Sequence, residues 1–529
     1  MAFVNAGSTS SAVSKQAQIR RENLSRIMND PYMGYSSIAE ATDDCKGSSQ
    51  VEVMCRLLNR ENLFISGPAG SGKTTVIKRF VDMIDAVYGG VFNIAVTATT
   101  GLAATNIGGK TIHSWSGLGV MEEPIDIRAM YKSRQKFFAL KAALRRIRYC
   151  DVLVIDEISM LHAYYLDNLD KIMKHARKND DPFGGVQVVL LGDFMQLPPV
   201  PSQNPVEGLN YGFAIQADSW KQAGINHCYL DKVHRAEDEN LKHLLLCIER
   251  SKMDSKARAV IEKCKSNSKD KSKQYTTLFT TNINVDRYNQ KKLDENPNIS
   301  QKFFLRKVSG SEKDLEKLIK SNNLPPLVEL KTGATVIVTR NITDPDGEIL
   351  AANGSVGRVK LLSPYNATVR LNDGSLVTIE YQSATETKKV TEKAEDGSAV
   401  TIEKQVAQVL YLPLKLGYAI TVHKSQGQTL DGIEVDLSRC FTPGLGYVAL
   451  SRVRSADNMV ISKISDDAFD VDPLSRKIST YVKKKSLVSR KEFTDRVDEY
   501  SPLLNDTLAL SERWDVSTSG VIRQQMDEG

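Results

Sequence analysis

No two of the seven cysteines (Cys45, Cys55, Cys150, Cys228, Cys247, Cys264 and Cys440) form a Cys-x-x-Cys pair, and they recur at no fixed spacing. That argues against a disulfide framework or a zinc site, and for reduced thiols in an intracellular protein. Also missing is any apolar run near the ~20 residues of a membrane helix, so no membrane partner is expected. The start lacks the apolar core of a secretory signal. Neither sign of charge dominates: 70 Lys and Arg against 64 Asp and Glu leave a net charge of +6, which permits nucleic-acid binding without showing it. No internal repeat of fixed period is visible.

What is present is enough for several cores. A chain of 529 residues implies two to four domains. Residues 1–49 are polar and aperiodic, with Lys15, Arg20, Arg21 and Arg26 among serines. They read as a disordered arm, with a mitochondrial presequence as the alternative. From residue 50 short apolar runs (62–66, 92–97, 152–155, 186–191) alternate with helical stretches (73–84, 137–148). That pattern predicts an α/β fold with a parallel sheet and crossover helices. A second such series starts near 226. Between 328 and 407 short β-like runs alternate with DPDG, NG and NDG turns, as in a small inserted β-barrel with a charged, solvated hairpin. The αβ texture returns over 408–481, and 482–529 reads as a polar, partly helical tail.

The run 62–66 leads into Gly67, Pro68, Ala69, Gly70, Ser71, Gly72, Lys73, Thr74 and Thr75. This is G-x-x-x-x-G-K-[ST] between an expected strand and an expected helix, the context a phosphate-binding loop requires. The glycines turn backbone N–H groups inward, and the helix start adds its positive end. Lys73 suits the β- and γ-phosphates of ATP, and the Thr74 hydroxyl suits Mg²⁺. Downstream, 151–155 ends in Asp156 and Glu157, delivering two acids to the carboxyl edge of the sheet. Asp156 is the expected second Mg²⁺ ligand, and Glu157 the base for the attacking water.

The run 186–191 stops at Gly192-Asp193 and continues Phe194-Met195-Gln196-Leu197-Pro198-Pro199. A third strand end at this edge would place Gln196 beside the phosphates. A neutral amide carries both a donor and an acceptor, which suits a sensor of the γ-phosphate or the lytic water. The prolines stiffen its exit.

Six stretches together resemble one family: TGLAATNIGGKTIHSWSG (100–117), VLVIDEISML (152–161), NLDKIMKHARKNDDPFGGVQ (168–187), LLGDFMQLPPV (190–200), LGYAITVHKSQGQTLDGIEVDL (416–437) and GYVALSRVRS (446–455). They closely resemble the petite-integration-frequency (PIF) DNA helicases, in the RecD-like branch of helicase superfamily one. The resemblance spans about residues 50 to 480, in complete motif order, and 168–187 looks like the family's own signature. It implies two RecA-like domains enclosing ATP, an SH3-like barrel inserted in the second, and a small wedge subdomain over about 118–148. The division is then 50–225 for the first domain, 226–327 and 408–481 for the second, and 328–407 for the barrel. The implied activity is ATP-dependent 5′-to-3′ translocation on single-stranded DNA, unwinding duplexes and forks, RNA–DNA hybrids and often G-quadruplexes, by a monomer.

Residue by residue, the resemblance puts Gln50 against the adenine and Arg235, of LDKVHR, at the γ-phosphate from across the cleft. It makes Arg452, of VALSR, the arginine finger of the second domain. Thr99, Thr100, His113, Ser114 and Trp115 would meet DNA from the first domain, and Thr281, Asn282, His423, Lys424 and Ser425 from the second. Hydroxyls and amides hold phosphates without reading sequence, and His113 and Trp115 would stack on bases, with core packing as the alternative for Trp115. Gly427 and Gln428 would link cleft to DNA track. Two departures stand out: Ala236 replaces the glutamine after the VHR-type arginine, and Gly444-Leu445-Gly446 replaces the GQ before YVALSR. The basic helix LKAALRRIR (140–148) fits the wedge or a solvated face equally. The alternatives are a translocase that strips proteins from DNA and an ATP-switched DNA-binding scaffold, which would need no complete hydrolytic set. Nucleus, mitochondrion and viral or bacterial replication compartments are not distinguished.

Overall fold

Apolar runs long enough for one strand, separated by helical stretches, bury both strand faces by packing helices on each side. In the protein, a computed structural model described for residues 50–88, 92–119, 124–127, 134–202, 205–233, 238–270, 275–322, 324–344, 349–351, 353–372, 374–393 and 399–496, they do so twice. The expected N-terminal arm, Arg235, Ala236 and part of the 118–148 wedge lie outside those residues.

The first lobe holds six parallel strands: β1 (Leu63–Ser66), β2 (Ile94–Ala98), β3 (Lys110–Thr111), β4 (Val152–Asp156), β5 (Gln187–Leu191) and β6 (Asn226–Tyr229), ordered β3-β2-β4-β5-β1-β6. Its helices are α1 (Gln50–Leu58), α2 (Lys73–Tyr88), α3 (Gly101–Asn106), α4 (Ile112–Ser116), α5 (Arg134–Arg148), α6 (Ala163–Arg177) and α7 (Asp218–Gln222). Strands β1, β4 and β5 are buried along their whole length, which is why they read as mostly apolar runs, with polar residues only at an end. Ile65 pairs with Leu191 and Ile155 with Leu190, so the three strands end level. The loops after Ser66, Asp156 and Leu191 therefore emerge side by side.

The 168–187 segment is a structural lock. The Arg177 guanidinium donates to the carbonyls of Gly184 (2.7 Å), Arg148 (2.8 Å) and Cys150 (2.9 Å). Phe183, left-handed at φ 53°, is fully buried, and its N–H donates to Asp170 at 2.7 Å. Together these bonds fix the entry into β4, and hence where its end falls.

In the second lobe, α8 (Glu239–Glu249) and α9 (Ser255–Ser266) precede β7 (Tyr275–Phe279) and α10 (Asn282–Asp294). A β-rich unit follows, with β8 (Ser300–Phe304), β9 (Arg306–Gly310), α11 (Glu312–Ser321), β10 (Leu327–Lys331), β11 (Thr335–Val338), β12 (Ile342–Thr343), β13 (Ile349–Ala351), β14 (Val356–Leu362), β15 (Asn366–Leu371), β16 (Leu376–Glu380), β17 (Gln382–Lys393), β18 (Ala399–Tyr411) and β19 (Leu414–Leu416). Its main sheet is antiparallel, ordered β16-β15-β14-β11-β19. The unit reaches past the expected 328–407 at both ends, because β8 pairs with β10, β9 with β18 and β19 with β11. The chain then returns through β20 (Ala419–Thr421), α12 (Val422–Ser425), β21 (Gly432–Leu437), α13 (Leu445–Leu450) and β22 (Met459–Ile464). Strands β20, β7, β21 and β22 form the second parallel sheet.

The segment from 482, expected to be partly helical, is helical as far as residue 495, but it is packed on the first lobe and not a free tail. Helix α14 (Pro473–Asp495) begins beyond the second lobe and packs along β6 of the first, burying Ile478, Val482 and Phe493. Ser486 Oγ accepts the Tyr229 N–H at 2.8 Å, and Arg56, paired with Glu52 and Glu61, donates to the Ser489 carbonyl.

Candidate active site

Between Ser66 and α2 the chain turns on Gly67, Gly70 and Gly72, at φ 149°, 85° and 89°. A Cβ on Gly67 would stand 2.3 Å from the Leu230 carbonyl, so only glycine fits. The loop is a backbone cradle at the start of a 16-residue helix. Lys73 Nζ donates to the carbonyls of Gly67 (2.6 Å) and Pro68 (3.0 Å), which holds the ammonium over the cradle. Ser71 is buried, and its hydroxyl has no protein partner. Ala69, Gly70, Gly72, Lys73, Thr74 and Thr75 line a cleft of about 480 Å³ with Asp156, Glu157 and Gln196, and the second lobe contributes Gly427, Thr429, Arg452 and Arg454. Gln50 is half-buried at the first position of α1 and is not among the residues lining this cleft.

The acids behave differently. Asp156 Oδ2 accepts from the Thr74 hydroxyl at 3.3 Å and Oδ1 from the Glu157 N–H at 2.7 Å. Burial, then the neighbouring Glu157 charge, pushes the Asp156 carboxyl up to about 7. A cation at this carboxylate would restore its charged form. A hydroxyl and a carboxylate oxygen this close are the hard-oxygen set that Mg²⁺ takes, so the donors fit the expected ion. Glu157 adopts φ 56°, rare outside glycine and a strain of roughly 1–3 kcal/mol. The turn aims its side chain across the cleft, where Glu157 Oε2 accepts from Gln426 Nε2 at 3.0 Å. Gln426 was not singled out in the sequence, though its neighbours Gly427 and Gln428 were. Gly427, at φ 78°, would bring a Cβ within 3.5 Å of Glu157 Oε1.

Gln196 sits at the same edge, buried, with Nε2 3.4 Å from Asp193 Oδ2 and Oε1 unpartnered. Asp193 caps the turn by accepting the Met195 N–H at 3.0 Å. The second lobe grips this turn. A Cβ on Gly444 would lie 3.0 Å from the Gln196 carbonyl, and the Tyr447 hydroxyl lies 3.3 Å from Asp193 Oδ2 and 3.1 Å from Glu249 Oε1. Burial, then Asp193 and Glu249, holds the Tyr447 phenol well above its usual range, so it stays a donor. Strand β5, followed at once by Gly192-Asp193, therefore leads into a joint between lobes.

Arg452 is almost fully buried, donating from Nε to the Val448 carbonyl (2.6 Å), from Nη1 to those of Ser425 and Gln428 (3.3 Å each) and from Nη2 to Ser451 Oγ (2.6 Å). It faces the same cleft as Lys73. The departure from the family pattern at 444–446 has local causes. Leu445 is core, and a Cβ on Gly446 would fall 1.8 Å from the Ala468 carbonyl.

Of the residues expected to meet nucleic acid, three have their side chains committed elsewhere. Trp115 is corrected to a core residue, only 6% exposed, within the cluster around Leu140 and Tyr165. Ser425 is fully buried and donates to the Val422 carbonyl at 2.7 Å. The Thr99 hydroxyl donates to the Glu157 carbonyl at 3.0 Å, which makes it a support for Glu157. Thr100 caps α3 through the Ala103 N–H. His113 packs tilted against the Tyr165 ring, centroids 4.7 Å apart, and Ser114 is exposed. On the second lobe Thr281 is the residue before α10, and Asn282 Oδ1 lies 3.5 Å from Lys424 Nζ. Burial, then the Lys424 charge, pushes Lys415 down to about 8. Two crowded ammonium groups favour an anion between them. His423 stacks on Phe441, an exposed aromatic ring that the sequence reading passed over. Burial lowers both His113 and His423, so each ring is neutral near pH 7.

Comparison with known proteins agrees with this geometry. A family model for PIF1-like helicases matches residues 49–253. The chain is 33% identical to the ATP-dependent DNA helicase Pif1 of Psychrobacter over 482 residues, covering 82% of this chain and 71% of that protein. It is 32% identical to the protein of the same name from Bdellovibrio bacteriovorus, covering 80% and 89%. Among solved structures, Pif1 helicase from Candida albicans superposes with a TM-score of 0.69 at 27% identity, covering 82% of this chain and 98% of that one. Pif1 helicase from Bacteroides in complex with ADP-AlF3 and single-stranded DNA gives 0.65 at 27%, covering 82% and 96%.

Proposed function

The chain belongs to the PIF1-like helicase family, and from that we propose that it moves 5′ to 3′ along single-stranded DNA, separating the duplex at a fork. It is an ATP-dependent DNA helicase, and its two parallel-sheet lobes are RecA-like. The observation that carries the reading is the Glu157–Gln426 hydrogen bond, 3.0 Å long, which joins the expected catalytic base to the lobe opposite the phosphate loop.

In this reading the glycine loop and Lys73 hold the phosphates, and Thr74 with Asp156 would hold Mg²⁺, which would supply charge neutralisation at the phosphates. Glu157 takes a proton from the attacking water and Gln196 reads the γ-phosphate. Arg452, from the second lobe, stabilises charge in the transition state, so hydrolysis needs a closed cleft. Arg235 is assigned the matching role at the γ-phosphate through the family resemblance alone, as Gln50 is at the adenine. Thr100, His113, Ser114, Thr281, Asn282, His423 and Lys424 grip the strand. One chain supplies both walls of the cleft, which supports a monomer as the working unit. RNA–DNA hybrids, G-quadruplexes and roles in replication, repair or recombination enter through the resemblance only, and an intracellular location rests on the unpaired cysteines. Leu445 packs in the core, so the altered 444–446 segment gives no support to the alternative of a translocase that merely strips proteins.

The test is single-turnover strand separation on duplexes carrying one single-stranded tail. Separation should need ATP and a 5′ tail; equal separation from a 3′ tail would sink the polarity, and none with either would favour the scaffold alternative.

A further inference from the structure

Helix α8 places His243 and Cys247 four residues apart, on one face. Its end turns through Ser251 into Asp254, the residue that caps α9. Three chemically different donors meet at this corner. His243 Nε2 lies 2.9 Å from Asp254 Oδ2, and Cys247 Sγ lies 3.5 Å from the same nitrogen. The ligand atoms of all three fall within 4.8 Å of one another, the one such His/Cys/Asp/Glu group among the described residues.

We infer that this corner binds one divalent transition-metal ion of the zinc class, through His243 Nε2, Cys247 Sγ and an Asp254 carboxylate oxygen. Ligands at the usual zinc distances, in a tetrahedron, stand roughly 3.3–3.8 Å apart. The Cys–His separation already matches, and the His–Asp pair has to open by a few tenths of an ångström. The carboxylate is oriented from behind, since Asp254 Oδ1 accepts the Ala257 N–H at 2.8 Å. The thiol is buried, while the His243 and Asp254 side chains are 29% and 50% exposed, so water has a path to a fourth position. Capping accounts for the Asp254–Ala257 bond and helical spacing for His243 and Cys247 sharing a face, but neither requires all three donors to converge on one point.

Binding balances simply. The ion displaces the thiol proton, which leaves to solvent. The Nε2 proton, now shared with Asp254, is lost there and regained at Nδ1, so the neutral ring presents a lone pair. One proton is released per ion. The bound ion would tie α8 to α9 two residues before Glu249, the carboxylate that reaches Tyr447 at the lobe joint. The absence of paired cysteines argues against only one kind of zinc site. The ligands here are a helical His-x-x-x-Cys pair completed by a capping aspartate.

Cobalt(II), added to the metal-free full-length protein, is the direct probe. One equivalent should bind, with a thiolate-to-cobalt charge-transfer band, the visible bands of a tetrahedral ion, and displacement by zinc. Cys247→Ser should abolish the charge-transfer band while ATP hydrolysis stays unchanged, which shows the variant folded. His243→Ala should weaken cobalt binding roughly tenfold or more. Binding without a charge-transfer band, or a band that survives Cys247→Ser and vanishes in Cys440→Ser, would overturn the site.

Discussion

Glu157→Gln should slow ATP hydrolysis by about 10²–10⁴-fold, the usual worth of a positioned general base, while leaving nucleotide affinity close to unaltered. The separation of effects follows from geometry. Glu157 reaches the cleft on a left-handed turn, with its carbonyl held by Thr99 and one carboxylate oxygen held by Gln426. Glutamine has the same shape and keeps an oxygen to accept from Gln426, so the contact between lobes persists. Only the proton acceptor is lost. Steady-state phosphate release at saturating single-stranded DNA, beside equilibrium binding of a fluorescent nucleotide, checks both halves. Turnover within tenfold of the unaltered protein would remove Glu157 from the chemistry.

Arg452→Lys should cost hydrolysis about 10³-fold or more, as loss of an arginine finger does. Lysine keeps the charge but lacks the planar fork. Here the fork serves two ends, since it bonds three backbone carbonyls and Ser451 and also faces the phosphate loop. A thermal shift should accompany the change, because buried carbonyls left unpaired cost roughly 1–3 kcal/mol each. Hydrolysis is therefore read well below the melting temperature of the variant. A lowered melting temperature with normal turnover would make Arg452 a structural residue alone.

How legible each part was depended on sequence distance. The phosphate loop and the Asp156-Glu157 pair were readable because strand, turn and helix lie within one short stretch, and the chemistry is carried by that stretch. Gln426 lies 269 residues from the carboxylate it bonds, and nothing local to QGQ marks which glutamine reaches Glu157. Asp193, Tyr447 and Glu249 meet for the same reason, from three separate elements, and a lone acid after a strand does not announce a partner. Trp115 had two readings, base stacking and core packing, and the structure takes the second. Its motif suggested a surface contact, but the short helix α4 turns the indole into the core while His113 and Ser114 stay at the edge. Helix α14 escaped because its inward stripe, 478, 482, 486, 489 and 493, includes two serines. They read as polar in composition, yet they let the helix backbone come close enough to β6 and α1 to bond Tyr229 and Arg56.

The β-rich unit was visible as texture but not in extent, since strands at 300–310 and 414–416 are short and find their partners only across the unit. The departure at Leu445 was readable as a lost polar contact and turned out to be a core position, because α13 buries that side chain whole. Burial of this kind depends on which face of a six-residue helix turns inward, and six residues carry too little periodicity to say.

The proposed coupling of the two sites runs along a short path: Lys424, among the residues proposed to grip the strand, Gln426 two residues on, and Glu157 across the cleft. ATP turnover of Gln426→Ala, with and without single-stranded DNA, probes that path most directly. Basal turnover within a few-fold of the unaltered protein, with stimulation by DNA lost, is the expected result. Stimulation as large as before would contradict it.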